Sequence, residues 1–297
     1  MALTGLDDVD RRAAEAFACE HVAARPADVA VVIPAYDEAG SIGAVVRGVP
    51  ARICGLRTET IVIVDGATDG TAAAAREAGA LVCDVPVNRG QGAALRLGYL
   101  LARGRGAVFI ATIDADGQYD GADLDAVIAP LVDGRADFVT GSRRLGRSLT
   151  TDRVRGAGVV VFGRLITALT GTRITDPANG LRAMRAEVTA SVQLTQPQYQ
   201  ASELLVGAIL RGWRVVEVPT LMRDRTAGVT KKGRNLAYGA RFARVVLATW
   251  WRDRRLRPPV GSPPASTTPR PVPSGPDASG PDALGAFSSG APKITNS

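Results

Sequence analysis

The chain of 297 residues is long enough for one large domain or two small ones, and its hydrophobic fraction of 46% suits a packed core. Its three cysteines show no CxxC spacing, which argues against a zinc site or a disulfide framework and favours a reducing, cytoplasmic setting. The formal charge of +7 is regional, because residues 223–257 alone carry +9, which favours an anionic partner at one end of the molecule over nucleic acid.

The N-terminal segment, residues 1–28, is predicted to be a helical extension. It is acidic early and lacks the basic-then-apolar order of a signal peptide, so we expect a protein that is not exported. The single histidine, His21, lies in this segment and is expected at the surface. A His-dependent triad or a His-rich metal site is therefore disfavoured.

Strands and helices then alternate along the first half of the chain. "DVAVVIPA", "ETIVIVD", "ALVCDVP", "AVFIATI" and "DFVTGSRRLG" read as strands, and alanine-rich or glycine-opened helical segments separate them. This alternation predicts an α/β fold with a mostly parallel sheet and helices on both faces.

Two carboxylates follow the fourth of these strands, in the stretch "AVFIATIDADGQYD" over residues 107–120. Asp114 and Asp116 are separated by one residue, so both can approach a single hard cation, and Gln118 can add a carbonyl oxygen. Ligands of open α/β sheets gather at such strand ends. The alternative is that Asp and Gly only end the strand and cap the next helix.

The second half begins with a long apolar helix over residues 154–170 and the loop "GTRITDPANGLRAMR", which contains strong turn signals. A helix around "SELLVGAILRGW" and a strand "RVVEVPTLM" follow. Charged residues such as Arg164 interrupt every apolar segment before it reaches about 20 residues, so any membrane contact is expected to be peripheral.

Residues 235–257 predict a basic amphipathic helix. Its cationic face holds Arg241, Arg244, Arg252 and Arg255, and its apolar face holds Leu236, Phe242, Ala243, Val246, Leu247 and Trp250. Such a helix can lie on an anionic membrane surface or pack on the preceding domain. Residues 258–297 are rich in Pro, Gly and Ser and are expected to be a disordered tail.

Seven segments in order resemble the family 2 glycosyltransferases with the GT-A fold, and most closely the dolichol-phosphate mannose synthase group. They are "VVIPAYDEAGSI", "VIVDGATDGT", "NRGQGAALRLG", "DADGQ", "GSR", "TDPANGLRAMR" and "RDRTAGVTKKG", which place the glycosyltransferase domain at residues 29–234. The resemblance implies inverting transfer of a hexose from a nucleotide diphosphate sugar, of the GDP-mannose or UDP-glucose type, to a polyprenyl phosphate. It also implies a Mg²⁺ or Mn²⁺ cofactor.

The same resemblance assigns the donor site. Around the nucleotide it places Pro34, Ala35, Tyr36, Glu38 and, on the base or ribose side, Asp65. The family commonly carries two adjacent acids where this chain has Asp65 alone before Gly66. Arg89 faces the ligand in the glycine-rich motif, and the diphosphate and metal site comprises Asp114, Ala115, Asp116 and Gln118.

On the acceptor side, the resemblance makes Arg143 the contact to the acceptor phosphate. Arg225 and Lys231 match a mobile loop of the pattern R-x-x-G-x-S-K, in which two cations can neutralise the departing diphosphate. Asp176 is interpreted either as a turn residue or as a general base. Glu203 is interpreted either as a helix-start acid or as a general base.

A phosphate acceptor is already a nucleophilic anion, so this reaction needs no general base, whereas a hydroxyl acceptor does. We therefore expect a peripheral membrane enzyme acting on polyprenyl phosphate, with Asp116, Arg225 and Lys231 as catalytic residues. Two alternatives stay open: a soluble family 2 enzyme acting on a hydroxyl with Asp176 or Glu203 as base, and a non-catalytic nucleotide-sugar-binding protein.

Overall fold

The computed structural model describes residues 7–149, 153–196, 198–224 and 236–256. Within these ranges the helices are α1 (Asp8–Glu20), α2 (Ile42–Gly48), α3 (Thr71–Glu77), α4 (Gln91–Gly104), α5 (Leu124–Val132), α6 (Arg153–Thr170), α7 (Ala186–Ser191), α8 (Gln200–Leu210) and α9 (Leu236–Asp253). The strands are β1 (Val29–Ala35), β2 (Arg52–Ile53), β3 (Leu56–Asp65), β4 (Leu81–Val85), β5 (Phe109–Thr112), β6 (Phe138–Ser148), β7 (Arg182–Arg185) and β8 (Val215–Met222).

These strands form one mixed sheet in the order β2-β3-β1-β5-β7-β6-β8, and β4 pairs with β3. Strand β1 lies inside the sheet, parallel to β3 on one side and to β5 on the other. Its valines and isoleucines are fully buried because helices cover both faces of the sheet. The α/β, mostly parallel fold predicted from the sequence is confirmed.

Strand β7 is the main departure from the sequence-based prediction, which left "LRAMR" inside a loop. It inserts between β5 and β6 and runs antiparallel to both, with Arg182 opposite Thr112. A four-residue strand directly after a turn is too short to show a hydrophobic period. Because β7 is antiparallel, its first residue lies beside the carboxyl end of β5, and the turn before it reaches Asp114.

The sheet separates two hydrophobic cores, and β1 contributes alternate residues to each. Val32 packs with residues of α1, α4, α8 and α9 on one face. Val31 and Ile33 pack with residues of α2, α3 and α5 on the other face. This alternation is the expected consequence of the two-residue period of a strand.

His21 does not lie at the surface, contrary to the sequence-based expectation. It follows the last turn of α1, and its ring packs edge-on against Phe17. Its Nε2 atom accepts a hydrogen bond from the Val82 amide of β4 at 3.1 Å. The only histidine therefore docks α1 onto the sheet edge, and no sequence signal revealed that contact.

Helix α9 packs against α6 and α8, which is the second of the two alternatives considered for this segment. Phe242 is buried against the ring of Phe162, with 4.2 Å between ring centroids, and the Trp250 indole donates to the Leu169 carbonyl at 2.9 Å. The opposite face of α9 is exposed. Among the helices that the structure describes, none is long and apolar enough to cross a membrane.

Candidate active site

The loops that follow β1 and β3 are bonded to each other at the carboxyl edge of the sheet. The Thr68 amide donates to the Asp37 carboxylate at 2.9 Å, and the Glu38 amide donates to the Thr71 hydroxyl at 2.8 Å. Asp37 has a φ of 49°, a left-handed conformation that costs a non-glycine residue energy and occurs often at functional sites. The two loops thus form one fixed rim.

Four predicted nucleotide contacts lie together on this rim. Pro34 and Ala35 are the last residues of β1, and the Tyr36 side chain beyond them is exposed. The Glu38 carboxylate accepts a hydrogen bond from the Ser41 hydroxyl at 3.0 Å. The negative charge of Asp37 raises the pKa of the Tyr36 phenol. Their predicted role in binding the nucleotide stays a prediction.

Asp65 is buried at the end of β3 and binds the backbone of the glycine-rich motif. It accepts hydrogen bonds from the Arg89 amide at 3.1 Å and from the Gly90 amide at 2.7 Å. Burial raises the pKa of Asp65, and these amide hydrogen bonds offset the rise only in part. A side chain at Gly66, which has a φ of +68°, would overlap the Asn88 backbone. Asp65 therefore fixes this motif beside the rim, whatever contact it also makes to a nucleotide.

The Arg89 side chain is held by the N-terminal helix. Its guanidinium pairs with Asp7 and Asp10 at the start of α1. The sequence-based interpretation had Arg89 facing the ligand, and it did not connect this arginine with the acidic first turn of α1. The Asp residues in the first turn of α1 were the sequence signal that could have revealed this pairing.

The neighbouring residue Gln91 reaches the paired carboxylates and was not predicted to do so. Its amide nitrogen donates to Asp114 Oδ1 at 3.1 Å. Asp114 is half-buried, and a Cβ at Gly180 would overlap its carboxylate. The turn before β7 therefore needs glycine where it passes Asp114.

Asp116 and Ala115 are buried in the same loop. Asp116 Oδ1 accepts a hydrogen bond from the Gln118 amide at 3.1 Å. The Gln118 side-chain amide donates to the Arg223 carbonyl at 3.1 Å, and the Arg223 amide donates back to the Gln118 carbonyl at 2.9 Å. The end of β8 is thereby tied to this loop. Arg225 and Lys231, two residues and eight residues further on, lie outside the described residues.

The carboxylate pair has the donor chemistry of a divalent cation site. Over the described ranges, no group of three or more His, Cys, Asp or Glu side chains is arranged to hold a metal. Mg²⁺ is often held by only one or two protein carboxylates together with substrate phosphates. Asp114 and Asp116 fit that pattern, and the Gln118 amide nitrogen is already used to hold Arg223.

Arg143, the predicted acceptor contact, forms a two-point ion pair with Asp176. Its Nε and Nη2 atoms donate to the two carboxylate oxygens at 2.6 Å each, and its backbone amide donates at 3.0 Å. Burial alone would raise the pKa of Asp176, but hydrogen bonds and charge from Arg143 outweigh it and the pKa is lowered. The Glu217 carboxylate anchors the Asp176 amide from β8 at 2.8 Å.

Arg182 also stabilises this turn, a role that was not identified from the sequence. It is fully buried and donates to three backbone carbonyls, those of Pro177, Asn179 and Ala201. Burial lowers the pKa of this guanidinium. The turn that bears Asp176 and passes Asp114 is therefore held by arginines on both sides.

A comparison with known families gives this geometry a context. The model described as glycosyl transferase family 2 matches residues 30–192, more than half of the chain. The chain belongs to this family. The rim, the paired carboxylates and the turn at Gly180 all lie within the matched residues.

Two curated members of related function are similar to this glycosyltransferase. A dolichyl-phosphate hexose transferase of Haloferax volcanii is 35% identical over 204 residues, which cover 69% of this chain and 86% of that protein. A dodecaprenyl-phosphate galacturonate synthase of Rhizobium johnstonii is 29% identical over 214 residues, which cover 69% of this chain and 62% of that protein.

The solved structures give the fold. Glucosyl-3-phosphoglycerate synthase of Mycobacterium tuberculosis, crystallised with Mn²⁺, UDP and glucosyl-3-phosphoglycerate, superposes with a TM-score of 0.60 at 24% identity. The match covers 83% of this chain and 84% of that one. The GT-A fold expected from the sequence is confirmed.

Glu203 of this family 2 enzyme lies inside the protein. It is fully buried at the start of α8 and accepts hydrogen bonds from the amides of Thr195 and Gln196 at 2.9 and 3.0 Å. The guanidinium of Arg252 in α9 forms an ion pair with the Glu203 carboxylate at 3.2 Å. Glu203 thus joins α8, the preceding loop and α9, which is a structural use of the carboxylate.

Proposed function

We propose that the enzyme transfers a hexose, with inversion, from a nucleotide diphosphate sugar of the GDP-mannose or UDP-glucose type to a polyprenyl phosphate. Both curated relatives described above are named for transfer to a polyprenyl or dolichyl phosphate. The first of them is named for a hexose.

The observation that carries the proposal is how Asp176 and Glu203, the two carboxylates considered as general bases, are held by their neighbours. Asp176 is locked in a two-point ion pair with Arg143, and its pKa is lowered. Glu203 is fully buried and accepts hydrogen bonds from Thr195, Gln196 and Arg252. Neither is positioned to take a proton from a hydroxyl acceptor, since a base must reach the proton it removes. A phosphate acceptor is anionic and needs no such base.

In this reaction the side chains of the protein position the substrates and neutralise their negative charge. The rim of Pro34, Ala35, Tyr36 and Glu38 would hold the nucleotide, beside the glycine-rich motif fixed by Asp65. Asp114 and Asp116 would hold Mg²⁺ or Mn²⁺, which when bound supplies positive charge to the diphosphate.

The acceptor oxygen would displace the diphosphate directly, which inverts the anomeric carbon. Arg225 and Lys231 are expected to neutralise charge that develops on the departing diphosphate. Because the leaving-group charge grows in the transition state, Lys231→Ala should chiefly lower kcat.

The proposed location is cytoplasmic, at the inner face of the cell membrane. The exposed face of α9 presents Arg241, Arg244 and the largely exposed Trp251. Cationic side chains and tryptophan together favour an anionic lipid–water interface. This is the surface where a polyprenyl phosphate head group is found.

The test is transfer with purified enzyme, radiolabelled GDP-mannose or UDP-glucose, Mn²⁺ and an undecaprenyl phosphate acceptor in detergent. Label should pass into the organic phase with the phosphate and not with undecaprenol at equal concentration. Efficient labelling of a water-soluble hydroxyl compound, with undecaprenyl phosphate ignored, would replace this proposal with a soluble transferase. Binding of nucleotide sugar without any transfer would indicate a non-catalytic protein.

A further inference from the structure

A cleft of about 380 Å³ opens beside the candidate active site. Its walls are the glycine-rich motif at residues 88–90, the segment before α8 with Gln196 and Tyr199, and the first half of α9 with Arg241 and Arg244. Among the described residues, no acidic side chain lines it.

Two of the three arginines at this cleft have no ionic partner among the described residues. Arg241 and Arg244 are exposed, and neither forms a hydrogen bond or an ion pair with any residue in the described part of the chain. Arg89, the third guanidinium at the cleft, is paired with Asp7 and Asp10. Two adjacent cations one helical turn apart are an arrangement suited to a phosphate, because guanidinium groups donate in pairs to phosphate oxygens.

The cleft lies next to the start of α4, which also contacts the paired carboxylates. Gly90 lines the cleft and precedes α4, and Gln91, the first residue of that helix, donates to Asp114. The start of α4 therefore connects the cleft to the carboxylate site. The positive end of the 14-residue helix α4 adds to the attraction.

The walls of the cleft are held in place before any ligand arrives. Tyr199 adopts a left-handed backbone with a φ of 62°, and its ring packs edge-on against Phe242 at 5.9 Å. The Gln196 carbonyl accepts a hydrogen bond from Arg96 at 2.9 Å, and its amide donates to Glu203. These contacts hold the walls of the cleft, so binding mainly has to order the exposed arginine side chains.

The exposed surface of α9 continues from the cleft as an apolar stripe. Leu247 and Trp251 lie three and seven residues beyond Arg244, so they share its helix face. Trp251 is about 10 Å along the helix from Arg244. A ligand with a phosphate at one end and a hydrocarbon chain at the other would match this order of groups better than a free phosphate would.

We infer that this cleft binds the phosphate monoester of the lipid acceptor, with Arg241 and Arg244 as its ligands and Leu247 and Trp251 along the prenyl chain. The inference rests on the proposed function and gives the incoming phosphate a site other than Arg143, the contact expected from the sequence. Arg143 is already neutralised by Asp176, whereas Arg241 and Arg244 have no ionic partner among the described residues.

The test compares two double variants of the full-length enzyme that remove the same amount of positive charge. R241A/R244A removes the two exposed arginines of the cleft, and R25A/R52A removes two exposed arginines, one before β1 and one in β2, that do not line it. For R241A/R244A we expect the KM for undecaprenyl phosphate to rise at least about tenfold, with the KM for the sugar donor within about twofold of wild type. R25A/R52A should keep the wild-type value.

A binding measurement without donor separates this inference from the proposed function. Titration calorimetry with farnesyl phosphate should give wild-type affinity for R25A/R52A and an at least tenfold weaker Kd for R241A/R244A. Farnesol and inorganic phosphate should both bind more weakly than farnesyl phosphate.

Three results would overturn the inference: equal loss in the two double variants, unchanged binding in R241A/R244A, or inorganic phosphate binding as tightly as farnesyl phosphate. Wild-type enzyme that binds farnesyl phosphate through these arginines but transfers no sugar would leave the cleft assigned and remove the proposed function.

Discussion

The charged residues around the site differ in whether another residue already pairs with them. Arg89 is bound to α1, Arg143 to Asp176 and Arg252 to Glu203 and Asp253. Pairing of this kind holds loops in place and reduces the charge left for a ligand. Side chains without such a partner are the better candidates for contact with phosphate.

Asp116→Ala should abolish transfer while the protein stays folded. Removal of one of the two carboxylates should lower kcat by at least about 100-fold, because a divalent cation would lose a charged ligand. Transfer kinetics with and without EDTA measure this effect. Asp84→Ala, an exposed carboxylate on β4, serves as the control and should retain activity. Full activity of folded Asp116→Ala, or of wild type in EDTA, would contradict the metal assignment.

Arg143→Ala should destabilise the fold because it leaves the buried Asp176 carboxylate without its partner. The expected loss is about 3–5 kcal/mol in the free energy of unfolding, measured by urea denaturation. Arg143→Lys should recover part of the loss, since lysine keeps the charge but not the two-point geometry. A loss below about 1 kcal/mol would show that the pair contributes little.

The same pair sets a dependence of stability on pH. The pKa of Asp176 is lowered from its ordinary value of 3.8 in the folded protein. Stability from this group is therefore present above about pH 4 and is lost as pH falls through the lowered folded value. Urea midpoints between pH 6 and pH 3 should fall more steeply for wild type than for Asp176→Asn. Parallel profiles would argue against the lowered pKa.

Helix α9 serves the fold on one face and is exposed on the other. Phe242, Val245 and Val246 are buried against α6 and α8. Asp253 forms an ion pair with Arg211, the residue that follows α8. Of the apolar face predicted from the sequence, Phe242 and Val246 are buried, Leu247 is exposed, and the side chain of Leu236 lies outside the described residues. Packing on the domain therefore does not prevent the other face from meeting a lipid surface.

Phe242→Ala should destabilise the protein by about 3–5 kcal/mol, because it removes a buried ring from contact with Phe162 and Tyr199. Leu247→Ala on the same helix should change the free energy of unfolding by less than about 0.5 kcal/mol, since this side chain is exposed. Urea denaturation of both variants checks the difference. Equal losses would mean that α9 is not packed in this orientation.

At the scale of the whole molecule, the antiparallel insertion of β7 brings distant motifs to one place. The motif at residues 114–118, the turn at Gly180 and the end of β8 meet because β5, β7, β6 and β8 are neighbours in the sheet. The predicted domain boundaries, 29–234 with flanking segments 1–28, 235–257 and 258–297, stay predictions. Contacts of α1 and α9 with the sheet domain show that both flanking helices stabilise it.

Truncation after Arg257 should leave turnover intact. The removed residues, 258–297, lie outside the described residues, and their composition of Pro, Gly and Ser cannot build a core. The kcat and urea midpoint of a 1–257 protein should match those of the full chain within about twofold and 0.2 M respectively. A folded but inactive truncation would assign the tail a role in the reaction.

The sequence by itself determined the features that depend on short stretches of chain. Runs of Val and Ile specify β1 and β3, alternation with helices specifies a mostly parallel sheet, and Asp with Gly after β5 marks the carboxylate loop. Each of these signals is local, since strand propensity, helix period and turn chemistry act over a few residues. The ordered motifs then sufficed to place the chain in its family.

Only the tertiary structure decided which charged groups neutralise one another. Arg143 and Asp176 are 33 residues apart, Arg89 and Asp10 are 79 apart, and Arg252 and Glu203 are 49 apart. Each pairing depends on which strands and helices become neighbours, and the insertion of a four-residue strand, β7, was not visible in any hydrophobic period. For that reason Arg241 and Arg244 look like any other arginines of a basic helix in the sequence. They are distinguished only in the fold, where they line a cleft next to Gly90 and remain unpaired among the described residues.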